Sequence, residues 1–393
     1  MSAINHVIMW NKQIIKNKHN LRDKSLWVFG EWWGKRCCDN SCYFANYVVE
    51  NVSGIKCFWL TSSDTNTMEL DERISVVEWK TDKAKGILKK AGVVIVNQNL
   101  QDVDNEFDFS CSGAIIINLW HGVPWKKIGL KAVPREKYLY SLYQAYVLKI
   151  QRINGFLCSG KVFEEKYMKA FLVKKDQLIR AGQPRNLLMY DKYMIEECYQ
   201  KIRMAFSIDS KAKIVSYLPT FRDSHTTPFS FSEISDESFL SYLESNNIYI
   251  LQKAHTEESE LFKTGTDHII NVVDVSAQEL MAASDMLITD YSSCFFDYLL
   301  LDRPIIHYLY DYEYYKDKDR GLYFDKDDVV CGSVAYNEQE LINEIKLNIS
   351  NPDKYLELRK KRKEDYLTYE NCDNCKTITE YIMSELNAKK MID

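Results

Sequence analysis

The sequence predicts an α/β protein of two Rossmann-like halves with a cleft between them. At 393 residues the chain is too long for one ordinary domain and fits two. Short apolar runs alternate with helix-length segments in each half, as in parallel, doubly wound sheets. His121 and His255 each follow one of these runs. Either histidine alone would more often be a core or surface residue. Because ligands bind beyond the carboxyl ends of parallel strands, the repeated setting indicates two sheets that face one site.

The first domain is predicted to span residues 1–206. Strands are expected at 26–29, 56–60, 74–77, 93–96 and 114–117, and helices at 40–49, 84–91 and 163–170. A helix at 193–205 and the polar stretch 207–213 are expected to connect the two domains.

The second domain is predicted to span residues 207–393. Its strands are expected at 214–217, 248–251, 269–272, 286–289 and 304–308, and its helices at 236–245, 277–283 and 293–301. A charged helical region begins at Pro352, and we expect it to pack back across the first domain.

Composition excludes several classes of protein. A formal net charge of -5 argues against a general nucleic-acid binder, so any basic region must be local. The 11 cysteines have no framework spacing, which is typical of free thiols in a reducing cytosol. No apolar stretch approaches the roughly 20 residues that span a bilayer, and no signal peptide is visible, so a soluble or peripheral intracellular protein is expected.

The segment around residues 289–293 is a candidate phosphate site. It lies between a predicted strand and a helix that begins near Cys294. The first turn of a helix has unpaired N–H groups and partial positive charge, and the hydroxyls of Thr289, Ser292 and Ser293 can add donors. The alternative is that one serine merely caps the helix. Asp297, one turn later, is a weaker candidate for a ribose hydroxyl, since a solvated helix face would also explain it.

Arg222 follows the first strand of the second half, where a guanidinium can bind two phosphate oxygens at once. The alternative is a surface ion pair with Asp223, which would contribute little. Three Asp-x-Asp matches, beginning at Asp102, Asp317 and Asp325, lie in polar segments and are expected by chance in a chain rich in acids. We therefore predict no protein-bound catalytic metal and no cofactor.

The segment from about residue 125 to 152 is locally basic and rich in aromatic residues and leucines. It contains seven basic residues and one acid: Lys126, Lys127, Lys131, Arg135, Lys137, Lys149 and Arg152, with Glu136. This mixture is typical of a helix in a membrane interface, where it would make peripheral contact with anionic lipid. An ordinary amphipathic helix with a solvated basic face explains it equally well, and RNA binding is the weakest alternative.

Together these segments resemble the CDP-glycerol glycerophosphotransferase family, whose members prime or polymerise teichoic acids and related capsule polymers. The resemblance covers about residues 25–385 and depends on short motifs in a fixed order. They are 120–129, 182–186, 219–223, 253–255, 288–293, 296–298, 301–306 and 320–325, and Asp39 and Asn40 fit the entry segment of the family. The chain departs from the family pattern at Val123, Trp125 and Thr256, which bears on donor or acceptor preference.

The resemblance implies a GT-B fold with the donor held by the second domain and the acceptor entering from the first. It implies that Asp39, Asn40, Gly122 and Lys126 contact the acceptor or orient the catalytic groups. It also implies that segment 125–152 docks the enzyme on the cytoplasmic face of a bacterial membrane. The partners expected are a CDP-activated polyol donor, such as CDP-glycerol, and a lipid-linked or polymeric glycan acceptor.

The implied reaction is attack of an acceptor hydroxyl on the β-phosphorus of the donor, with release of CMP. His121 is the expected general base, since a histidine pKa near neutrality suits that task. His255 is expected on the phosphate, while Arg222, Ser292 and Ser293 hold the pyrophosphate. Two alternatives remain: a GT-B nucleotide-sugar glycosyltransferase, and a non-catalytic scaffold of a polymer-assembly complex. The sequence does not determine which polyol is carried, which acceptor is used, how many units are added or which oligomeric state is formed.

Overall fold

Two parallel β-sheets, one in each of two units, form the framework of the protein. The computed structural model describes residues 3–104, 109–134, 137–220, 229–253, 266–318 and 321–389. Chain contacts define an N-terminal unit, Met1–His121 with Gly129–Arg185 and Tyr369–Asp393, and a C-terminal unit, Gly122–Ile128 with Asn186–Thr368.

The sheet of the N-terminal unit has seven parallel strands in the order β3-β2-β1-β4-β5-β6-β7. They are β1 (Asp23–Phe29), β2 (Lys56–Thr61), β3 (Ser75–Glu78), β4 (Ala91–Val96), β5 (Ile115–Asn118), β6 (Gly155–Cys158) and β7 (Leu178–Arg180). Every residue of β4 and β5 is buried, as expected for continuous Val- and Ile-rich runs covered on both faces.

Six helices are described in the N-terminal unit: α1 (Ala3–Asn17), α2 (Asn40–Asn51), α3 (Asp82–Lys90), α4 (Tyr138–Ile150), α5 (Glu164–Phe171) and α15 (Asn374–Ala388). Their ends follow ordinary capping chemistry: the Thr81 hydroxyl accepts from Ala84 N–H at 3.2 Å at the start of α3. The last helix, α15, is held to the strand region by its Tyr381 hydroxyl, which donates to Asn154 O at 2.8 Å.

The sheet of the C-terminal unit has six parallel strands in the order β10-β9-β8-β11-β12-β13. They are β8 (Lys213–Leu218), β9 (Ile248–Gln252), β10 (Ile269–Asn271), β11 (Met286–Thr289), β12 (Ile305–Tyr308) and β13 (Ser333–Ala335). Its apolar core packs Tyr217, Phe231 and Phe239 against residues of these strands.

The described helices of this unit are α6 (Leu187–Tyr190), α7 (Lys192–Phe206), α8 (Glu237–Ser245), α9 (Ala277–Ala282), α10 (Cys294–Tyr298), α11 (Tyr312–Lys318), α12 (Lys326–Val329), α13 (Glu338–Ser350) and α14 (Leu356–Tyr366). Helix α9 begins with a capping box in which Ser276 and Glu279 each accept the other's backbone N–H.

The limits of the units differ from the predicted division at 206/207. Helix α7 belongs to the C-terminal unit, because its Lys201 binds Glu279 of α9. Residues 122–128 also belong there: Tyr323 N–H donates to Trp125 O at 2.8 Å and Lys127 N–H donates to Gly321 O at 2.9 Å. Residues from 369 onward return to the N-terminal unit.

Within the described residues, no helix combines the length and apolar character that crossing a membrane requires.

Candidate active site

His121 lies just beyond the carboxyl end of β5 and is half-buried. The loop that carries it is fixed at its start, where Trp120 N–H donates to the side chain of Asn118 at 2.8 Å. Trp120 has a left-handed φ of 53°, which is rare for a bulky residue. Two indoles lie close to the imidazole, with ring centroids at 4.0 Å for Trp120 and 5.5 Å for Trp32. The histidine is therefore held in a largely aromatic setting.

A buried ion pair fixes the backbone of His121. Arg185 Nη1 lies 2.7 Å from Asp39 Oδ1, and both side chains are only 7% exposed. The same Nη1 donates to His121 O at 3.0 Å. The Trp32 indole N–H donates to the other Asp39 oxygen at 2.9 Å. One guanidinium thus ties the histidine to a carboxylate at the start of α2, where Asp39 also accepts from Asn40 N–H.

The ionisation of Asp39 depends on these partners. Burial alone would raise its pKa, but the charge and hydrogen bond of Arg185 hold the pKa below its usual range, and His121 and Asn40 N–H add to the effect. A carboxyl whose pKa is lower folded than unfolded adds stability above the unfolded pKa. That stability is lost as the pH falls through the folded pKa.

Asn40 joins the His121 loop to the segment that carries Arg185. Its side-chain amide donates to Trp120 O at 2.9 Å and also to the side chain of Gln183. Its amide oxygen accepts from Arg185 N–H at 3.2 Å. Asn40 is fully buried, so these bonds are shielded from water and form a rigid connection behind the histidine.

A strained turn after β1 brings Trp32 to the histidine. Trp32, Trp33 and Gly34 have left-handed φ values of 48°, 55° and 70°. This conformation costs about 1–2 kcal/mol for each residue that is not glycine. Side chains from the loop that follows β4 hold it, since Trp32 N–H donates to Gln98 at 3.0 Å and Trp33 N–H donates to Asp102 at 2.9 Å. Local strain of this kind is often found at functional sites.

Two fully buried carboxyl groups support the turn and the start of α2. Glu31 accepts the N–H groups of Cys38 and Asp39, yet burial and the nearby Asp39 charge raise its pKa well above the usual range. Burial also raises the pKa of Asp102 to about 7, although backbone donors such as Gln98 N–H at 2.7 Å favour the carboxylate. The site region therefore contains acids of contrasting pKa, a pattern often found in active sites.

The family of the chain follows from comparison with known proteins. The model of the family described as CDP-Glycerol:Poly(glycerophosphate) glycerophosphotransferase matches residues 13–384. The chain belongs to this family.

Relatives and solved structures agree with that membership. The teichoic acid glycerol-phosphate transferase of Staphylococcus aureus is 26% identical over 347 residues, which cover 86% of this chain and 88% of the relative. The teichoic acid poly(glycerol phosphate) polymerase of Bacillus subtilis is 27% identical over 336 residues, covering 83% of this chain but only 44% of the polymerase. The structure of the wall teichoic acid polymerase TagF has a TM-score of 0.83 at 19% identity, covering 98% of this chain and 96% of that chain.

Membership of the glycerophosphotransferase family confirms the resemblance drawn from the motifs. The α/β class and the GT-B type of fold are also confirmed, by the two parallel sheets and the likeness to TagF. His121, Asp39 and Asn40, which the motifs selected from distant parts of the chain, lie together in the N-terminal unit. Their roles in this family member stay predictions.

The predicted phosphate segment lies at the carboxyl end of β11. Ser292 and Ser293 are half-buried, and the Ser293 side chain makes no capping hydrogen bond to α10. Ser292 Oγ is 3.5 Å from Cys294 N–H, so it caps at most weakly. The Thr289 hydroxyl is buried and donates to Leu218 O at 2.6 Å, which gives it a structural partner. The two serines are thus better placed for a ligand than Thr289.

Asp297 differs most from its predicted setting. It is fully buried and not on a solvated helix face. The side chains of Asn186 and Gln278 approach its two oxygens at 3.3 Å and 3.5 Å. These amides give Asp297 a structural role inside the C-terminal unit, and its contact with a ribose stays only a prediction.

Gly122 and Lys126 lie in the segment that pairs with residues 321–323, within the C-terminal unit. Gly122 has a φ of 142°, a conformation that favours glycine, so a side chain at this position would strain the turn after His121. The ammonium group of Lys126 lies 5.9 Å from the ring centre of Tyr315.

Three predicted residues lie outside the described residues: His255, Arg222 and Arg135.

Arg185, Glu31 and Asp102 support the site, but no role was predicted for Arg185 or Glu31, and Asp102 was taken for part of a polar loop. Asp102 is fully buried. A signal for Glu31 was present, because it follows the apolar strand β1 by two residues. Arg185 lies in the motif 182–186, but only the fold brings it to Asp39, 146 positions away. Among the described residues, no group of three or more His, Cys, Asp or Glu side chains could hold a metal ion.

His307 provides a test of the C-terminal unit beside the phosphate segment. It is fully buried on β12, next to β11, and accepts from Cys331 N–H at 3.3 Å, and burial lowers its pKa from 6.5 to about 4. The unfolded chain therefore takes up the proton first. Stability is expected to fall as the pH drops from about 6.5 to about 4, by up to about 1.4 kcal/mol per pH unit.

Urea unfolding at pH 7 and pH 5 measures this effect, with His307→Gln expected to show a flatter pH dependence than the native chain. His268→Gln is the matched control, because His268 is half-buried at the other side of the same sheet, with Nδ1 facing Ile248 O at 2.9 Å. An equal pH dependence in the native chain and the His307 variant would contradict the assignment.

Proposed function

We propose that this enzyme transfers a polyol phosphate, glycerol phosphate in the first instance, from a CDP-activated donor to a hydroxyl of a lipid-linked or polymeric cell-surface glycan. The products are CMP and an acceptor extended through a phosphodiester, in teichoic acid or capsule synthesis. The observation that carries the proposal is the half-buried His121 at the carboxyl end of β5, with its backbone held by the Arg185–Asp39 pair. Family membership supplies the reaction class.

The geometry around His121 supports a general base. The acceptor oxygen attacks the β-phosphorus while its proton passes to the imidazole, and the bond from phosphorus to the CMP oxygen breaks. General acid–base catalysis of this kind contributes about 10²–10⁴-fold to rate. A general base must also be held in the correct position. The hydrogen bond from Arg185 Nη1 to His121 O fixes the backbone that carries the imidazole.

The C-terminal unit supports binding of the donor. Negative charge on the transferred phosphoryl group requires donors that are in place before reaction. The hydroxyls of Ser292 and Ser293, half-buried after β11, are suited to this task. Arg222 and His255 are expected to add a guanidinium and a second imidazole, as their motifs predict. Proton donation to the departing CMP would fall to His255.

Release of CMP from CDP-glycerol by the purified full chain tests the proposal. Acceptor-dependent release is expected with a membrane-extracted glycan, and little release without it. CDP-ribitol in the same assay reports polyol preference, and UDP-sugars test the glycosyltransferase alternative. Release from UDP-sugars alone, or from no activated donor, would overturn the proposed reaction.

We place the enzyme on the cytoplasmic face of a bacterial membrane, in peripheral contact through α4. Helix α4 lies wholly among the described residues, and none of its side chains is buried. Tyr138, Leu139 and Leu142 are 66%, 79% and 50% exposed. Lys137 and Lys149 are exposed at the two ends of the helix. Exposed apolar side chains beside cations are typical of interfacial helices.

The helix is shorter than the predicted basic segment. Lys126 and Lys127 lie in the stretch paired with residues 321–323, and Lys131 is exposed in the turn Gly129–Lys131. Arg152 is exposed beyond the end of α4. The proposed contact surface in the N-terminal unit therefore consists of α4 with Lys131, Lys137, Lys149 and Arg152.

Replacing Leu139 and Leu142 by Ser is expected to weaken sedimentation with phosphatidylglycerol vesicles by tenfold or more, since each buried leucine contributes about 1.5–3 kcal/mol. Both side chains are exposed, so folding should be unaffected. Met68→Ser with Met204→Ser is the matched control, because these side chains are 88% and 79% exposed elsewhere. Equal vesicle binding by both double variants would argue against docking through α4.

A further inference from the structure

A basic cavity lies in the N-terminal unit, at the amino ends of its parallel strands. His121 lies at the opposite edge of the same sheet, beyond the carboxyl end of β5. Its volume is about 580 Å³. It is bounded by residues 18–22 before β1, residues 112–116 around the start of β5, residues 150–154 between α4 and β6, and Lys389 after α15. The reaction proposed above uses none of these residues, although Arg152 is also part of the proposed α4 contact surface.

The cavity has a strongly positive lining. Lys18, Arg22, Arg152 and Lys389 all line it, with His19, and none of its described lining residues is acidic. This is unusual in a chain of net charge -5. Glu385, on α15, lies near enough to favour the charge of Lys389 but is not part of the lining. Concentrated positive charge in a concave site attracts anions.

Arg22 is a buried cation in the wall of the cavity. The side chain is only 4% exposed, and its terminal nitrogens donate to Leu88 O at 2.6 Å and Ser110 O at 3.1 Å, with further bonds to Asn17 O and Ser112 O. Its Nε has no hydrogen-bond partner among the described residues. A buried donor left unpaired costs about 1–3 kcal/mol, which a ligand oxygen would offset.

Gly113, another lining residue, packs closely against Arg22. A Cβ at this position would lie 3.4 Å from Arg22 Nε and 3.0 Å from Lys18 O. Its φ of 103° is also one that other residues rarely adopt. Glycine is therefore required here by the backbone conformation and by the close approach of Lys18 O.

The cations of the cavity are not neutralised by any acidic residue of its described lining. Lys389 Nζ donates to Ala114 O at 3.1 Å, and burial lowers the pKa of Lys389, with the Arg22 charge lowering it further. Carbonyl groups at helix ends account for two bonds of Arg22, at Asn17 and Leu88. These carbonyl groups do not explain the positions of Lys18 and Arg152. The side chains of Lys18 and Arg152 make no hydrogen bond or ion pair with the described residues.

We propose that this cavity binds the phosphate group of an anionic lipid headgroup, which rests on the peripheral membrane contact proposed above. Helix α1 ends at the cavity, and its Ile15, two residues before that end, is 68% exposed. Leu21, which is itself part of the lining, is 74% exposed. A phosphodiester with acyl chains attached satisfies both the cations and these apolar groups, which free phosphate does not.

The test uses the full chain with Lys18→Gln and Lys389→Gln combined, leaving in place the buried Arg22 and Arg152, which belongs to the proposed α4 contact surface. Lys161→Gln with Lys174→Gln forms the control, since it removes the same charge from exposed positions away from the cavity. Binding is measured with short-chain dihexanoyl phosphatidylglycerol and with inorganic phosphate, by titration calorimetry. Sedimentation with vesicles of phosphatidylglycerol, and with neutral phosphatidylcholine, completes the set.

The cavity variant is expected to bind short-chain phosphatidylglycerol about 10- to 30-fold more weakly than the native chain, since each cation near a lipid surface contributes roughly fivefold. The control should bind as the native chain does, and the melting temperature of the cavity variant should be unchanged. Equal binding of inorganic phosphate and the lipid would make this a soluble-phosphate site and overturn the lipid assignment. Native-like lipid binding by the cavity variant would overturn the site itself.

Discussion

Substitution of His121 by Asn is expected to lower turnover of CMP release by about 10²–10⁴-fold, the range for loss of a general base. Asn retains much of the shape of the imidazole beside Trp120 and Trp32 but cannot take up the proton. The His121 backbone keeps its bond from Arg185, so folding should be preserved. Steady-state kinetics with CDP-glycerol and acceptor, together with thermal melting, measure both quantities.

His268→Asn is the matched control for this experiment, since it removes an imidazole from the edge of the other sheet. Its turnover should stay within twofold of native. A pH–rate profile adds a second readout: the limb that reports deprotonation of the base should disappear in the His121 variant. Native-like turnover in a folded His121→Asn protein would mean that another group removes the proton.

Substitution of Arg185 by Met is expected to cost about 3–5 kcal/mol of stability and most of the activity. Breaking a buried pair leaves an uncompensated charge, and Asp39 is 7% exposed at the side chain. Without the guanidinium, burial dominates and the pKa of Asp39 rises, so the folded variant takes up a proton that the native protein does not. The stability difference between native and variant should therefore be larger at pH 7 than at pH 4.

Urea unfolding at the two pH values measures this difference. Arg180→Met is the matched control, since Arg180 pairs with Glu164 at 2.7 Å near the surface and its loss should cost less than about 1 kcal/mol. The double variant Arg185→Met with Asp39→Asn should recover much of the stability but little turnover, because nothing then holds His121 O. Recovery of both would show that the pair is needed only for stability.

The fold could be predicted where local pattern decides structure. Strands β4 and β5 are unbroken apolar runs, and each is buried along its full length. Helix α2 was placed at its correct start, Asn40, although its preceding cap, Asp39, was not recognised as one. The short strand β13 was not predicted, because three residues carry little periodic signal, and neither was α1, whose apolar residues alternate with asparagine and lysine.

Segment 125–152 shows why tertiary contacts limit such predictions. It was treated as one helical surface, but Gly129 has a φ of 51°, and a Cβ there would lie 2.5 Å from Ala170 O. The chain therefore turns at Gly129 before α4 begins at Tyr138. That turn depends on α5, which no pattern within the segment could reveal.

In the candidate site, too, some residues could be predicted from local sequence and others could not. His121 could be predicted because it follows a strand, and position at a strand end is visible in one stretch of sequence. Arg185, Glu31 and Asp102 could not be given roles, since their importance lies in contacts made through the fold. A buried acid held by backbone N–H groups looks, in the sequence, like any acid in a loop.

The return of residues 369–389 to the N-terminal unit has a consequence for synthesis and for truncation. Glu370 and Asn374 accept the N–H groups of Gln183 and Gly182, just before Arg185, at 3.0 Å and 2.8 Å. These residues are synthesised only after the C-terminal unit, so the segment that carries Arg185 gains these bonds last. A chain that stops near residue 368 is therefore expected to lose support behind His121, although His121 lies almost 250 positions earlier.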